Sequence, residues 1–372
     1  MKSDKAGGKL LMSSLAGRPW VSAALLIHFV LPWLVCPITG LLPSAPVVPE
    51  NVWRPAAEAH KRRIMHTLQE GFVTEDVPVR FRRQPGQGEQ PVKDDGFRKL
   101  NSRHAVFNFL HDYYNIRGAK GTRRLGRWSS GLAQVTLQGA TAVDIKTGTL
   151  SPVGCEVTSE GVYYDAQKHF LSADPSAATP FMWYHSLLSA TARAEPILHC
   201  YNLHEWAMQY WPEGAAPPPS RHYQEETMPL RVTQEVINNV IQTQGVRCTH
   251  VDALRFFAPA AGPLNHHGAS IEREAQLRLE QPGCVHAHMD LFKISLRLAP
   301  WLPAELSADA LELALSARRL DVAASPYDAS KFGIVPILIE TEAGRVEFRR
   351  RQTELMARAA PLRANLFSGM LA

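Results

Sequence analysis

Cysteine is scarce in this chain. Five thiols in 372 residues, at Cys36, Cys155, Cys200, Cys248 and Cys284, are too few for a disulfide scaffold, which leaves reduced or metal-facing groups. None belongs to a C-x-x-C pair and no H-E-x-x-H occurs, so the zinc-finger and helical metalloprotease signatures are both missing. Excess charge is also small. Lys+Arg 40 against Asp+Glu 35 gives +5, of which Lys2, Lys5, Lys9 and Arg18 against Asp4 supply +3. The remaining +2 does not announce a nucleic-acid binder. No repeat of solenoid period is present, and no apolar run beyond residue 42 is long enough to cross a membrane. With 45% hydrophobic and 20% charged residues, wholesale disorder and collagen-like repetition are excluded, and the length suffices for a substantial core.

The first fifty residues carry a pattern of their own. Residues 1–20 are basic, and Val21 to Val35 is apolar except for Ser22 and His28, the n-region and h-region of a targeting sequence. Ser44-Ala45-Pro46 places small residues near a cleavage point. A membrane anchor over Val21 to Leu42 is the alternative, disfavoured because Pro32 and Pro37 each remove a backbone donor. A targeting segment over 1–45 is expected, leading to a secretory route or to an organelle such as a plastid.

Beyond it, an amphipathic helix is expected over Ala56 to Glu70, a flexible Gln/Gly/Pro-bearing insertion over 81–99, and a short helix over His104 to Tyr114. Arg117, Lys120, Arg123, Arg124 and Arg127 with Gly118, Gly121 and Gly126 read as a basic turn. Gln134–Leu137, Ala142–Ile145 and Val162–Tyr164 read as strands. From Pro180 onward the pattern is helical, broken at Pro217–Pro219. It includes Val285 to Arg297, Ala308 to Leu320 with Ser307 as N-cap, and a charged closing helix over Arg345 to Arg363. The fold class expected is α+β: one mainly α-helical domain over 51–372 with a small β element.

Three segments each combine a cysteine, a histidine and a carboxylate: Cys200 with His204 and Glu205, Cys248 with His250 and Asp252, and Cys284 with His286, His288 and Asp290. On a helix, His286, Asp290 and Lys293 share one face at i, i+4 and i+7, whereas His288 falls off it and is expected at the surface. By the same spacing, Cys200 and His204 would share a helix face. Imidazole and carboxylate together suit Zn, Mn or Fe, or supply a general base with its orienting acid. The candidate catalytic residues are therefore His286, Asp290, His250, Asp252, His204 and Glu205, with His250, His286 and Asp290 as metal ligands. Trp183, Tyr184, Trp206, Tyr210 and Trp211 crowd one stretch, either as core or as a stacking pocket for a planar or cationic ligand. Trp206, Tyr210 and Arg255 are the cofactor-binding candidates.

The phrases LHEWAMQY at 203–210, RCTHVDALRFFAPAAGPLN at 247–265, EQPGCVHAHMDLFK at 280–293, LDVAASPYD at 320–328 and ARAAPLR at 357–363 resemble a family of actinobacterial and algal proteins commonly labelled 3-methyladenine DNA glycosylase. The resemblance covers most of 100–372 and includes His104, Tyr113, Tyr114, Cys284, Ser325 and Asp328 beside the candidates above. It implies excision of alkylated purines, with Asp290 or Asp252 orienting water and no cofactor required. The residues themselves lead first to a metal-assisted enzyme acting on a small planar or polar molecule, and third to a non-catalytic binder of a planar cofactor. A small-molecule substrate is the expected partner, with nucleic acid left open and no membrane span in the mature domain.

Overall fold

The computed structural model describes residues 45–73, 96–171, 179–215, 217–218 and 228–370. The expected targeting segment, most of the 81–99 insertion and the end of the Pro217–Pro219 break lie outside the described residues. Ala45–Ala372 is one compact unit.

The order begins with β1 (Val47–Val48), α1 (Glu50–Leu68), α2 (Asn108–Asp112), α3 (Gly118–Leu125), β2 (Gln134–Gln138) and α4 (Ala142–Lys146). It continues through β3 (Cys155–Val157), β4 (Gly161–Asp165), α5 (Ala166–Leu171), α6 (Thr179–Arg193), α7 (Leu203–Ala207) and α8 (Gln234–Gln244). It closes with α9 (Val251–Leu254), α10 (Gln276–Leu279), α11 (Val285–Leu298), α12 (Ala304–Ala323) and α13 (Glu342–Gly369). The class is α+β and mainly helical, as expected.

The sheet has the order β1-β2-β4-β3, with β1 parallel to β2 and the other pairs antiparallel. Val135 and Leu137 alternate inward from β2 and meet Val162 and Tyr164 of β4 over Trp53, Trp128 and Leu150, the period-2 burial of a one-faced sheet. Gly161 is required here, because a Cβ would lie 2.0 Å from the Leu137 carbonyl oxygen. Trp53 comes from α1, whose buried stripe of Trp53, Ala57, His60, Ile64 and Leu68 follows helical spacing.

Three expected elements differ. Ala142–Ile145 is helical, because Thr141 and Asp144 form a capping box that fixes the first turn. The basic turn is the helix α3 from Gly118, since arginine and lysine are good helix formers. The Ala308 helix starts earlier, at Ala304 after Pro303, so Ser307 is inside it and caps nothing.

The main core is built on α11, which packs on α12 and α13, while α12 also contacts α1. Alanines 308, 310, 314 and 317 of α12 are buried with Leu311, Leu313 and Leu320, and small side chains let the helix axes approach. Being surrounded, α11 buries most of its circumference. His288, expected at the surface, is therefore fully buried, its Nε2 2.9 Å from the Pro282 carbonyl oxygen. Burial pushes its pKa down to about 4, against the Pro282 hydrogen bond and helped by Arg363. The imidazole is neutral in the fold, while the unfolded chain takes up a proton below about pH 6.5. Stability attributable to this residue is thus lost as pH falls from about 6.5 to 4, by roughly 3 kcal/mol. In urea titrations the cost of His288→Gln should shrink by that order between pH 7.5 and 4.5, and a pH-independent cost would refute the assignment.

Candidate active site

His204 and Glu205 stand on α7, which does not include Cys200, so that pair shares no helix face. Before it the chain passes through left-handed backbone at Tyr201 (φ 46°) and Asn202 (φ 61°). Asparagine tolerates this region; for tyrosine it is a strain of about 1–3 kcal/mol. The conformation is held by two long-range bonds, Asn202 Nδ2 donating to the Asp321 carbonyl at 2.6 Å and Trp206 Nε1 to that of Ala324 at 2.9 Å. They clamp α7 to the end of α12 and bring the fully buried Asp321 to His204.

Arg318 of α12 donates through Nη1 to Glu205 Oε1 at 2.9 Å and to Asp321 Oδ2. Asp321 Oδ1 is left facing His204 Nε2 as an ion pair at 3.0 Å, and neither atom has a well-aligned hydrogen bond among the described residues. Burial would raise the Asp321 carboxyl, but Arg318 and His204 hold it well below the usual carboxylate range. Glu205 moves the other way, raised by burial and by Asp321 against the pull of Arg318.

A second triplet repeats the composition. His250 precedes α9 on a loop fixed by Asn265, which accepts from Cys248 N at 2.9 Å and donates to Cys248 O at 3.2 Å. Its Nε2 lies 3.4 Å from Asp290 Oδ2, and Asp290 Oδ1 accepts from Lys293 at 3.1 Å. Glu280, at the end of α10, accepts from Gln276 at 2.8 Å. Burial opposes charge on Asp290, but Lys293 and His250 hold it far below its ordinary value. In turn Asp290 raises His250 against burial. Glu280 is raised by burial.

His286 joins the two. Its ring centroid is 4.5 Å from that of His204 and 4.7 Å from that of His250. Burial first, and then the two neighbouring imidazoles, push it well below its ordinary pKa, so it is the neutral member of the row. With Cys200, Cys248 and Cys284 it borders a cavity of only about 20 Å³. Burial raises all three thiols, Cys248 to about 12, so these cysteines are protonated and unreactive at neutral pH.

Two sets of buried donors, His204/Glu205/Asp321 and His250/Glu280/Asp290, could each hold a metal ion, their ligand atoms lying within 4.8 Å of one another. Of the metal ligands expected from sequence, His250 and Asp290 are brought together; His286 stands beside them and belongs to neither set. Asp252 turns to Arg273 at 2.8 Å and lies 4.0 Å from Lys293, at the edge. Trp206 and Tyr210 are core residues, Trp206 fully buried. Arg255 lies over the exposed Phe256 ring. Of the other residues singled out in the sequence, Ser325 is buried and bonds the Val322 carbonyl, and Asp328 is exposed and caps Ser330. Sequence reasoning missed Glu280, Asp321 and Arg318. The first two lie at the start of the EQPGCVHAHMDLFK and LDVAASPYD phrases, but nothing local marks them as partners of residues 30 and 117 positions away.

Comparison of the chain with family models, with curated proteins and with solved structures finds no match.

Proposed function

We propose that the protein is an enzyme with a metal-assisted His/carboxylate centre that acts on a small planar or polar molecule. The observation that carries this reading is the pair His204 Nε2 and Asp321 Oδ1, buried and facing each other at an ion-pair distance of 3.0 Å, neither atom having a well-aligned hydrogen bond among the described residues. Two ligands each about 2.1 Å from a common ion and at right angles to one another lie about 3.0 Å apart, so the spacing suits neighbouring ligands of one ion. Nitrogen and carboxylate donors without thiolate favour Zn, Mn or Fe. When bound, such an ion supplies Lewis acidity and a water of lowered pKa.

The chain's own groups have separate roles in this reading. Arg318 and Lys293 keep Asp321 and Asp290 ionised while leaving each one carboxylate oxygen turned to a histidine. His286, neutral and partly open, stands between the two sets, where it adds no charge to repel a bound cation. The buried Trp206 and Tyr210 favour this reading over an aromatic cage for a flipped, alkylated base.

Elemental analysis of the full chain, purified without chelator or polyhistidine tag, tests the proposal. At least one Zn, Mn or Fe per chain is expected, with His204→Gln and His250→Gln reporting which set holds it. A metal-free protein that binds DNA with steep salt dependence would overturn it in favour of a glycosylase.

A further inference from the structure

A cavity of about 530 Å³ lies beside the centre, between α3, α11 and α12. Its wall carries Arg124, Arg127, Lys293 and Arg297 and, among the described residues, no carboxylate. Lys293 is turned to Asp290, but Arg124, Arg127 and Arg297 form no ion pair among the described residues. Three guanidinium groups around one concavity repel one another and lower the cost of bringing in an anion. Arg127 has lost basicity through burial and the nearby Arg124.

Two donors in the same wall are unsatisfied. Trp128 is 6% exposed and its Nε1 has no acceptor among the described residues; Arg127 Nε is likewise buried and without a partner among them. Buried N–H groups almost always find a partner, and an acceptor-rich ligand would supply one. Phe292, Tyr114 and the Trp128 indole contribute flat apolar wall. Tyr114 keeps its proton and donates it to the Met289 carbonyl at 2.9 Å, so it adds no negative charge.

We propose that this cavity binds a small organic anion, a phosphate or carboxylate carried on a flat apolar body, with Arg127, Arg297 and the Trp128 indole N–H as its anchors. As a statement about substrate, the proposal rests on the enzyme reading above: Lys293 belongs both to this wall and to the Asp290 pair, so an anion held here lies next to the centre. As a statement about binding, it stands independently of any metal.

The test is calorimetric titration of the full chain with phenyl phosphate, benzoate and benzyl alcohol, with metal content measured on the same samples. At least one of the two anions should bind, and the neutral alcohol at least tenfold more weakly. Whether phenyl phosphate or benzoate binds more tightly identifies the head group. Arg297→Gln, at an exposed position where folding is not at stake, and Arg127→Gln should each weaken the anion about tenfold, the usual worth of a charge-assisted hydrogen bond, with metal content unchanged. Equal binding of alcohol and anion, no anion binding, or anion affinity unaltered in both variants would overturn the proposal. Anion binding to a protein that lacks metal would support the cavity while removing the centre, so the two readings fail separately.

Discussion

Asp321→Ala should lower the stability of the chain by about 3–5 kcal/mol, the range for breaking a buried ion pair from one side. Asp321 is fully buried, accepts from Arg318 and faces His204. Its removal leaves Arg318, whose side chain is 14% exposed, with Glu205 as its one carboxylate partner among the described residues, beside the Ala105 carbonyl. The double variant Arg318→Met/Asp321→Leu should recover much of the loss, because two apolar groups leave no unpaired charge. The pH dependence has a definite sign. A carboxyl held below its unfolded value contributes stability that is complete above about pH 4 and declines as pH falls further. Urea denaturation of the single and double variants measures both effects. A single-variant loss under about 1 kcal/mol would place the pair among weak surface contacts.

The second large effect concerns Trp206. Sequence leaves this residue between core and ligand wall, and the structure buries it completely, with Nε1 donating to Ala324 O and Arg231 5.5 Å over the ring. Trp206→Ala should therefore cost about 3–5 kcal/mol in the same denaturation experiment, as cavity-forming substitutions of large rings do. Trp206→Phe, which keeps most of the volume and loses the hydrogen bond, should cost about 1–2 kcal/mol. A Trp206→Ala protein of undiminished stability that has lost affinity for a planar ligand would restore the stacking pocket.

Much of the architecture could be read from local pattern, because each element has a local cause. The period of Val285 to Arg297 is that of α11, and the alternation around Val135 and Leu137 is that of β2. Ala142–Ile145 was open to correction from sequence too: Thr141 and Asp144 spell a capping box, a stronger signal than four residues of alternating character. His288 failed for a tertiary reason. A two-faced helix has an exposed side, whereas α11 is enclosed by α12 and α13.

The candidate site was half legible. Three His/acid segments could be named, and their histidines do converge in one row. Which acid completes each set depended on contacts across the fold: Asp321 reaches His204 because Asn202 and Trp206 tie α7 to α12, and Asp252, the nearer acid in sequence to His250, is drawn off by Arg273. Sequence spacing carries no information on such competition.

In the proposed centre, nitrogen and oxygen donors, and not the neighbouring thiols, would hold the metal ion. X-ray absorption spectroscopy at the edge of whichever of Zn, Mn or Fe the purified full chain contains tests it most directly. A first shell of nitrogen and oxygen alone at about 2.0–2.2 Å is expected, reduced or lost in Asp321→Asn or Glu280→Gln. A sulfur shell at about 2.3 Å, drawn from Cys200, Cys248 or Cys284, or a chain that holds no metal, would contradict it.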